Sequence, residues 1–351
     1  MTVLVCIAGA AILEILGPRL STSSLDEAGN TQAGAVLRGS ALDINSLAGS
    51  ILSSVGARRD GKLGLPRALR PGRSVRGPIA DPDLSMMEVY DGEKSARLPR
   101  IAADGRTPMA VYAAGFVASA YRPRVAILIA GIGMSEAASM AAITELPGET
   151  SLAISPYAGN LAHLLDAVRK SEHEYLLSIP MEPQGYPVND PDDRHALMAS
   201  LSPLENLDRL RWILSRFSGY VGVTSALGNI RGERVAGMPD QLASVLGEVG
   251  RRGLLFIDSR PGQPNLLKTW NRSVDTVIDD GAVDTTTLDT RLDMLTRIAL
   301  DKGSAIGIVQ TPRPATLERV AAWTNTLGSK GLTLAPISAL VEASVGEEVV
   351  K

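Results

Sequence analysis

An α/β fold, a parallel sheet with helices packed outside it, is predicted by three observations. Short apolar runs of strand length recur from Val125 to Leu334, helical stretches with an apolar stripe lie between them, and the two alternate from Arg124 almost to the end of the chain. Periodicity alone leaves two arrangements open, a sheet closed as a barrel or an open, doubly wound one.

The strand candidates, in order, are Val125–Ile129, Ser151–Ile154, Tyr175–Ile179, Tyr220–Val223, Leu254–Ile257, Thr276–Ile278, Ala305–Val309 and Leu332–Leu334. Near-continuous apolar character, rather than alternation, is what a parallel strand needs when both its faces are covered. Two helices are clearly bounded. Pro203 to Phe217 follows Ser202 as cap, has Glu205 at the capping-box position, and presents Leu207, Leu210, Ile213 and Leu214 as its apolar face. Asp284 to Lys302 begins on an Asp cap, carries Leu288, Leu292, Leu295 and Ala299 on one stripe, and stops at Gly303.

The chain ahead of Arg124 has a different character. Residues 1–19 contain an uncharged apolar run, Thr2–Leu13, ended by Glu14 and Pro18. It is shorter than the ~20 residues of a full membrane span and no Lys or Arg precedes it, so it is read as the remnant of an anchor or export signal, with an ordinary buried helix as the alternative. Residues 20–122, rich in Ser, Gly, Ala and Pro, read as a low-complexity linker with small ordered patches; in it Arg58, Arg59, Lys62, Arg67, Arg70, Arg73 and Arg76 face only Asp60. That basic stretch is read as a solvated tether, with contact to anionic lipid or an acidic polymer as the alternative. Ala110–Val117 is expected to be a short ordered segment docked on the domain at 123–345.

Composition narrows the function classes. The 351 residues are 45% hydrophobic and 21% charged, enough to bury a large core, and the net charge of −3 gives no reason to expect nucleic acid as a partner. The single cysteine, Cys6, excludes an intramolecular disulfide and a Cys-cluster zinc site.

Four motifs carry a resemblance. Val125–Ile129 with Gly133, Ser178-Ile-Pro-Met-Glu-Pro-Gln-Gly-Tyr-Pro187, Val221-Gly-Val-Thr-Ser-Ala-Leu-Gly-Asn229 and Leu254-Leu-Phe-Ile-Asp-Ser-Arg260 resemble, in order and spacing, the divergent polysaccharide deacetylase family of bacterial envelope proteins. The resemblance covers roughly Arg124 to Val341. It implies a distorted (β/α)-barrel of the polysaccharide deacetylase and glycoside hydrolase type with seven or so strands, a link to cell-envelope carbohydrate metabolism, a divalent metal such as zinc, and export to the periplasm or the periplasmic side of the inner membrane. An envelope polysaccharide or peptidoglycan, and an envelope protein, are the partners it implies, with the membrane reached through the N-terminal segment.

Yet the side chains of the metal site depart from the family pattern. The resemblance implies paired Asp after the first strand, where Ala130 and Gly131 stand; His in the third motif, where Ala226 stands; His before Pro-Met-Glu-Pro, where Ser178 stands; and two His near the last strands, where the chain reads Gln310-Thr311-Pro312-Arg313-Pro314. Deacetylation by this route needs a metal to lower the pKa of water from about 15.7 to about 7, with a base and an acid. His163 and His173 lie on or near the helix before Tyr175; His195 lies in an acidic loop, where a site with Asp192 or Asp193 has workable spacing but a solvated surface is preferred. No cofactor is therefore expected.

In a barrel the residues following each strand form the working face. Met181, Glu182, Asn229, Asp258, Ser259 and Arg260 are the polar or motif-matching candidates for holding a glycan. Glu182 and Asp258 could form a carboxylate pair with Arg260 orienting a sugar hydroxyl or carboxylate; the preferred alternative is that Asp258 and Arg260 form a partly buried ion pair shaping the loop. Gly131-Ile-Gly133 reads as a tight turn rather than a dinucleotide fingerprint, Ser155 and Ser225 lack a nucleophile-elbow context, and at 4% aromatic residues a long sugar-stacking platform is not expected, although Tyr157 and Tyr186 could each face a pocket. Two functions follow: a catalytically degenerate barrel that binds a glycan or protein partner, which is preferred, or a hydrolase with a rearranged site around Glu182, Asp258 and Arg260.

Overall fold

The apolar runs become the parallel strands of a curled sheet in the computed structural model, which describes residues 76–91, 96–117, 122–191, 194–264, 269–281 and 284–341. Two short strands come first, β1 (Met87–Val89) and β2 (Arg97–Pro99), paired antiparallel and followed by helix α1 (Pro108–Val111). The alternation then runs β3 (Arg124–Ile132), α2 (Glu136–Glu145), β4 (Ser151–Ile154), α3 (Leu161–Lys170), β5 (Tyr175–Ser178), α4 (Pro203–Leu214) and β6 (Gly222–Thr224). After these come α5 (Glu233–Ala236), α6 (Pro239–Arg251), β7 (Leu255–Asp258), β8 (Asn271–Ser273), β9 (Thr276–Val277), α7 (Thr285–Lys302), β10 (Ser304–Val309), α8 (Pro314–Thr326) and β11 (Thr333–Leu334).

Neighbours in the sheet follow the order β8-β7-β6-β5-β4-β3-β10-β9, all parallel, with β11 beside the first residues of β3. The strands at its opposite edges, β8 and β9, are separated in sequence only by Val274 and Asp275. Laid flat, eight strands would hold those edges about 34 Å apart, while the link reaches about 10 Å, so the sheet curls into a distorted barrel. Partners change within one step of the chain. Val274 N–H donates to the Asp258 carbonyl at 3.0 Å, next to β7, and Asp275 N–H donates to the Ile306 carbonyl of β10 at 2.7 Å. Taken together, β8 and β9 are one stave serving both neighbours, which gives the seven staves expected.

Arg272 fastens this seam: it donates to Ser304 Oγ at 2.9 Å, to the Ser304 carbonyl at 3.2 Å and to Asp275 Oδ2 at 3.2 Å. Asp275 Oδ2 in turn accepts from Ile306 N–H at 2.9 Å. Sequence patterning does not find β8, because Asn271, Arg272 and Ser273 contain no apolar residue to mark them.

Helix caps form where the sequence places them. Ser202 and Glu205 make the reciprocal capping box that starts α4, and Asp284 accepts from Thr287 N–H at 2.9 Å to start α7. Gly303 ends α7 at φ 80°, a left-handed conformation that favours glycine. Leu288, Leu292, Leu295 and Ala299 are all buried, as are Leu210, Ile213 and Leu214 on α4, whereas Leu207 is half-buried.

Residues 76–91 and 96–117 are folded against the barrel, more order than the small patches expected in the linker over 20–122; residues 1–75, with the apolar run and most of the basic stretch, lie outside the described residues. Arg252, before β7, donates to Glu88 Oε1 and to the Pro99 carbonyl, each at 2.8 Å. Met109 N–H donates to the Gly253 carbonyl at 3.2 Å. Ile79, Met86, Leu98, Met109 and Tyr112 are buried by these contacts. Isolated apolar residues, each an anchor with its own socket, carry no period, so patterning reads them as linker.

At the same N-terminal end of the barrel sits Glu174, fully buried. It accepts from Ser151 Oγ at 2.8 Å and Ser338 N–H at 2.9 Å through Oε1, and from Ala114 N–H at 3.1 Å and Ser338 Oγ at 2.5 Å through Oε2. One carboxyl thereby ties the segment before the barrel to β4 and to the chain after β11.

Candidate functional site

The opposite end, where the strands finish, holds the loops expected to form a site. It is closely packed around Gly131. β3 bulges between Ile129 and Ile132, and there Gly131 takes φ +75°. A Cβ on Gly131 would lie 3.1 Å from the Gln310 carbonyl oxygen, 3.3 Å from Pro312 Cδ and 3.7 Å from Gly228 Cα. Ala130, Ala226 and Ser178, at the other matched positions, are buried with no exposed surface. Small residues let three loops meet where the resemblance implies acidic and imidazole groups.

Glu182 is 3% exposed and already occupied: Arg234 Nη1 lies 2.6 Å from its Oε1, and Ala199 N–H donates to its Oε2 at 2.7 Å. Met181, the residue before it, is buried, pairs with Leu197 as an isolated bridge, and abuts Gly232. Asp258 accepts from Arg260 three times: from its N–H at 2.9 Å, Nε at 3.0 Å and Nη2 at 2.6 Å. Ser259 Oγ sits 2.9 Å from Ser225 Oγ, and its N–H donates to Ser225 Oγ at 3.0 Å. Asn229 is exposed, and its carbonyl accepts from Gln310 Nε2 at 3.2 Å.

Each of the two carboxylates is thus matched to its own guanidinium. Arg260 turns its fork onto Asp258, forming the partly buried ion pair that shapes the loop after β7. Glu182 pins the loop after β5 to α5 and to Ala199. Neither carboxylate is left as a bare acid or base.

Sequence reading missed Asp279. It directly follows the apolar run at β9, so the rule used for the other mouth residues would have found it. Burial pushes its carboxyl above the ordinary value, opposed by hydrogen bonds from Gln310 N–H at 2.7 Å and Thr311 N–H at 2.9 Å. Arg231 and Arg234 were missed as well; Arg231 Nε bonds Glu233 at 3.0 Å and its Nη1 lies 3.6 Å from Asp280.

The residues at the matched positions do not fit a divalent metal. None carries a carboxylate or imidazole, and among the described residues no group of three or more His, Cys, Asp or Glu side chains is arranged to hold an ion. His173 is buried, with Nδ1 2.8 Å from the Thr150 carbonyl oxygen and Nε2 3.1 Å from that of Ile143. His195 stacks on Trp212 at 3.6 Å between ring centroids, and Tyr157 lies 6.3 Å from the same indole. Asp192 and Asp193, considered with His195, lie outside the described residues. His163 lies on α3 at the edge of a pocket of about 260 Å³ between α2 and α3.

Comparison with known families matches residues 127–341 to the model of the divergent polysaccharide deacetylases. The chain belongs to that family. Among solved structures, an uncharacterized protein from Agrobacterium tumefaciens C58 is similar at 32% identity and a TM-score of 0.64, over 70% of this chain and 100% of that one. Comparison with curated proteins gave no match. Membership in the divergent polysaccharide deacetylases supports a carbohydrate-related function and the barrel architecture. Among the described residues, no helix is long and apolar enough to cross a membrane.

Proposed function

We propose that this divergent polysaccharide deacetylase binds an envelope glycan, or a peptidoglycan fragment, without metal-dependent deacetylation. The observation that carries the reading is the mouth itself: Gly131 is closed in by Gln310, Pro312 and Gly228 at the place where the reaction would need a carboxylate. The alternative, hydrolysis around Glu182, Asp258 and Arg260, loses support because each carboxylate is already paired with an arginine, Glu182 with Arg234 and Asp258 with Arg260. Attachment to the inner membrane through residues 1–19, with the barrel on the periplasmic side, is part of the same proposal, as is an envelope protein as a second partner.

The full chain, purified and incubated with zinc, should hold no stoichiometric metal and release no acetate from N-acetylated chitooligosaccharides or peptidoglycan fragments, while calorimetry detects their binding. Bound metal with acetate release would overturn the reading. Fractionation of native cells tests the location: recovery in the soluble cytoplasm would remove the envelope assignment.

A further inference from the structure

We propose that the pocket between α2 and α3 is the subsite that holds the glycan, and that it accepts a neutral sugar residue; this rests on the glycan-binding reading above. With the space at Gly131 closed in by Gln310, Pro312 and Gly228, a cavity elsewhere at the same end of the barrel is the better place for a ligand. This pocket is lined by Gly133, Gly159 and Asn160 in the turns that follow β3 and β4 and by the N-terminal turns of α2 and α3, at that end of the barrel, and has a volume of about 260 Å³.

Its walls have the chemistry for a polyol. Glu136 offers a carboxylate acceptor, Asn160 an amide that both donates and accepts, and His163 an imidazole, over a floor containing Met140 and Leu164. No Lys or Arg lines it, and Glu136 supplies negative charge, so an acidic glycan would be repelled where a neutral one is not. Asn160 starts α3 through its backbone, accepting from Leu164 N–H at 3.2 Å, and its side chain makes no capping bond. Its amide is therefore available to a ligand.

The walls are held before any ligand arrives. Ser139 Oγ accepts from Gly133 N–H at 2.8 Å and donates to the Ser135 carbonyl at 2.5 Å, fixing the turn between β3 and α2. Gly159 is a lining position that accepts a larger side chain without a clash, since an added Cβ there meets no atom within 4 Å.

The test uses the full chain, calorimetry with N-acetylated chitotetraose and with an acidic hyaluronan oligosaccharide, and two variants. Gly159→Phe adds bulk at the wall of the pocket. Asn160→Gly removes the amide while keeping the left-handed backbone at φ 47° easy to adopt. Chitotetraose binding at least about tenfold weaker in both variants, with melting temperatures unchanged, is the expected result, equivalent to about 1.4 kcal/mol. If the wild-type chain binds chitotetraose and both variants bind it equally well, the pocket assignment fails and glycan binding stands. Binding of neither oligosaccharide by the wild type removes both, and tighter binding of hyaluronan overturns the neutral specificity.

Discussion

Single residues decide what chemistry this barrel can support, and Gly131 is the sharpest case. Restoring a family-like acid with Gly131→Asp would force a side chain onto a backbone at φ +75° and press a carboxylate toward the Gln310 carbonyl oxygen. The expected result is a loss of about 1–3 kcal/mol in stability with no gain of zinc, read from urea midpoints and metal content. Glu174 sets a different test. Burial pushes its carboxyl above the ordinary 4.5, so the folded chain keeps a proton that the unfolded chain releases. Its contribution is therefore fully present below about pH 4.5 and is lost as pH rises through the elevated value, by at most about 1.4 kcal/mol per pH unit. Glu174→Gln, neutral at every pH, should flatten the fall in stability as pH rises above the ordinary 4.5, whatever its absolute level. The neighbouring His173 is linked in the opposite sense. Burial lowers its pKa below 6.5, against the pull of two carbonyl acceptors, so its contribution is lost as pH falls, and this acid-side loss should persist in the Glu174 variant.

At the scale of elements, what the sequence discloses depends on whether an element announces itself by apolar periodicity. Strands β3, β4, β5, β7 and β10 and helices α4 and α7 do so, and their caps are spelled out by Ser202, Glu205, Asp284 and Gly303. Ser202→Ala should cost about 1 kcal/mol by removing the capping box, a change that thermal unfolding can read. β8 is silent in the sequence because hydrogen bonding, not burial, makes it a strand. Arg272→Ala should therefore destabilise the protein by about 2–3 kcal/mol, leaving Asp275, Ser304 and the Leu340 carbonyl without their shared donor. Faster amide exchange confined first to Val274 and Asp275 would locate the effect; an unchanged exchange pattern would remove Arg272 from this role. The candidate site was legible in the same partial way. Motif spacing located Glu182, Asp258 and Arg260, but it could not show that arginines already hold both acids, because Arg234 reaches Glu182 from α5, some fifty residues on.

For the whole molecule, the folded unit extends upstream of the first barrel strand. A chain beginning at residue 122 would leave Arg252 without Glu88 and the Pro99 carbonyl, and Glu174 without the Ala114 N–H. It would also uncover the sockets of Ile79, Met86, Leu98, Met109 and Tyr112. Such a truncation should unfold at lower urea and bind more of a hydrophobic dye than a chain beginning at residue 76. The stave that bonds β7 with one half and β10 with the other has a mechanical consequence as well. Sliding it along one neighbour would drag it along the other, so the circumference is locked and the rim cannot dilate to admit a bulky chain.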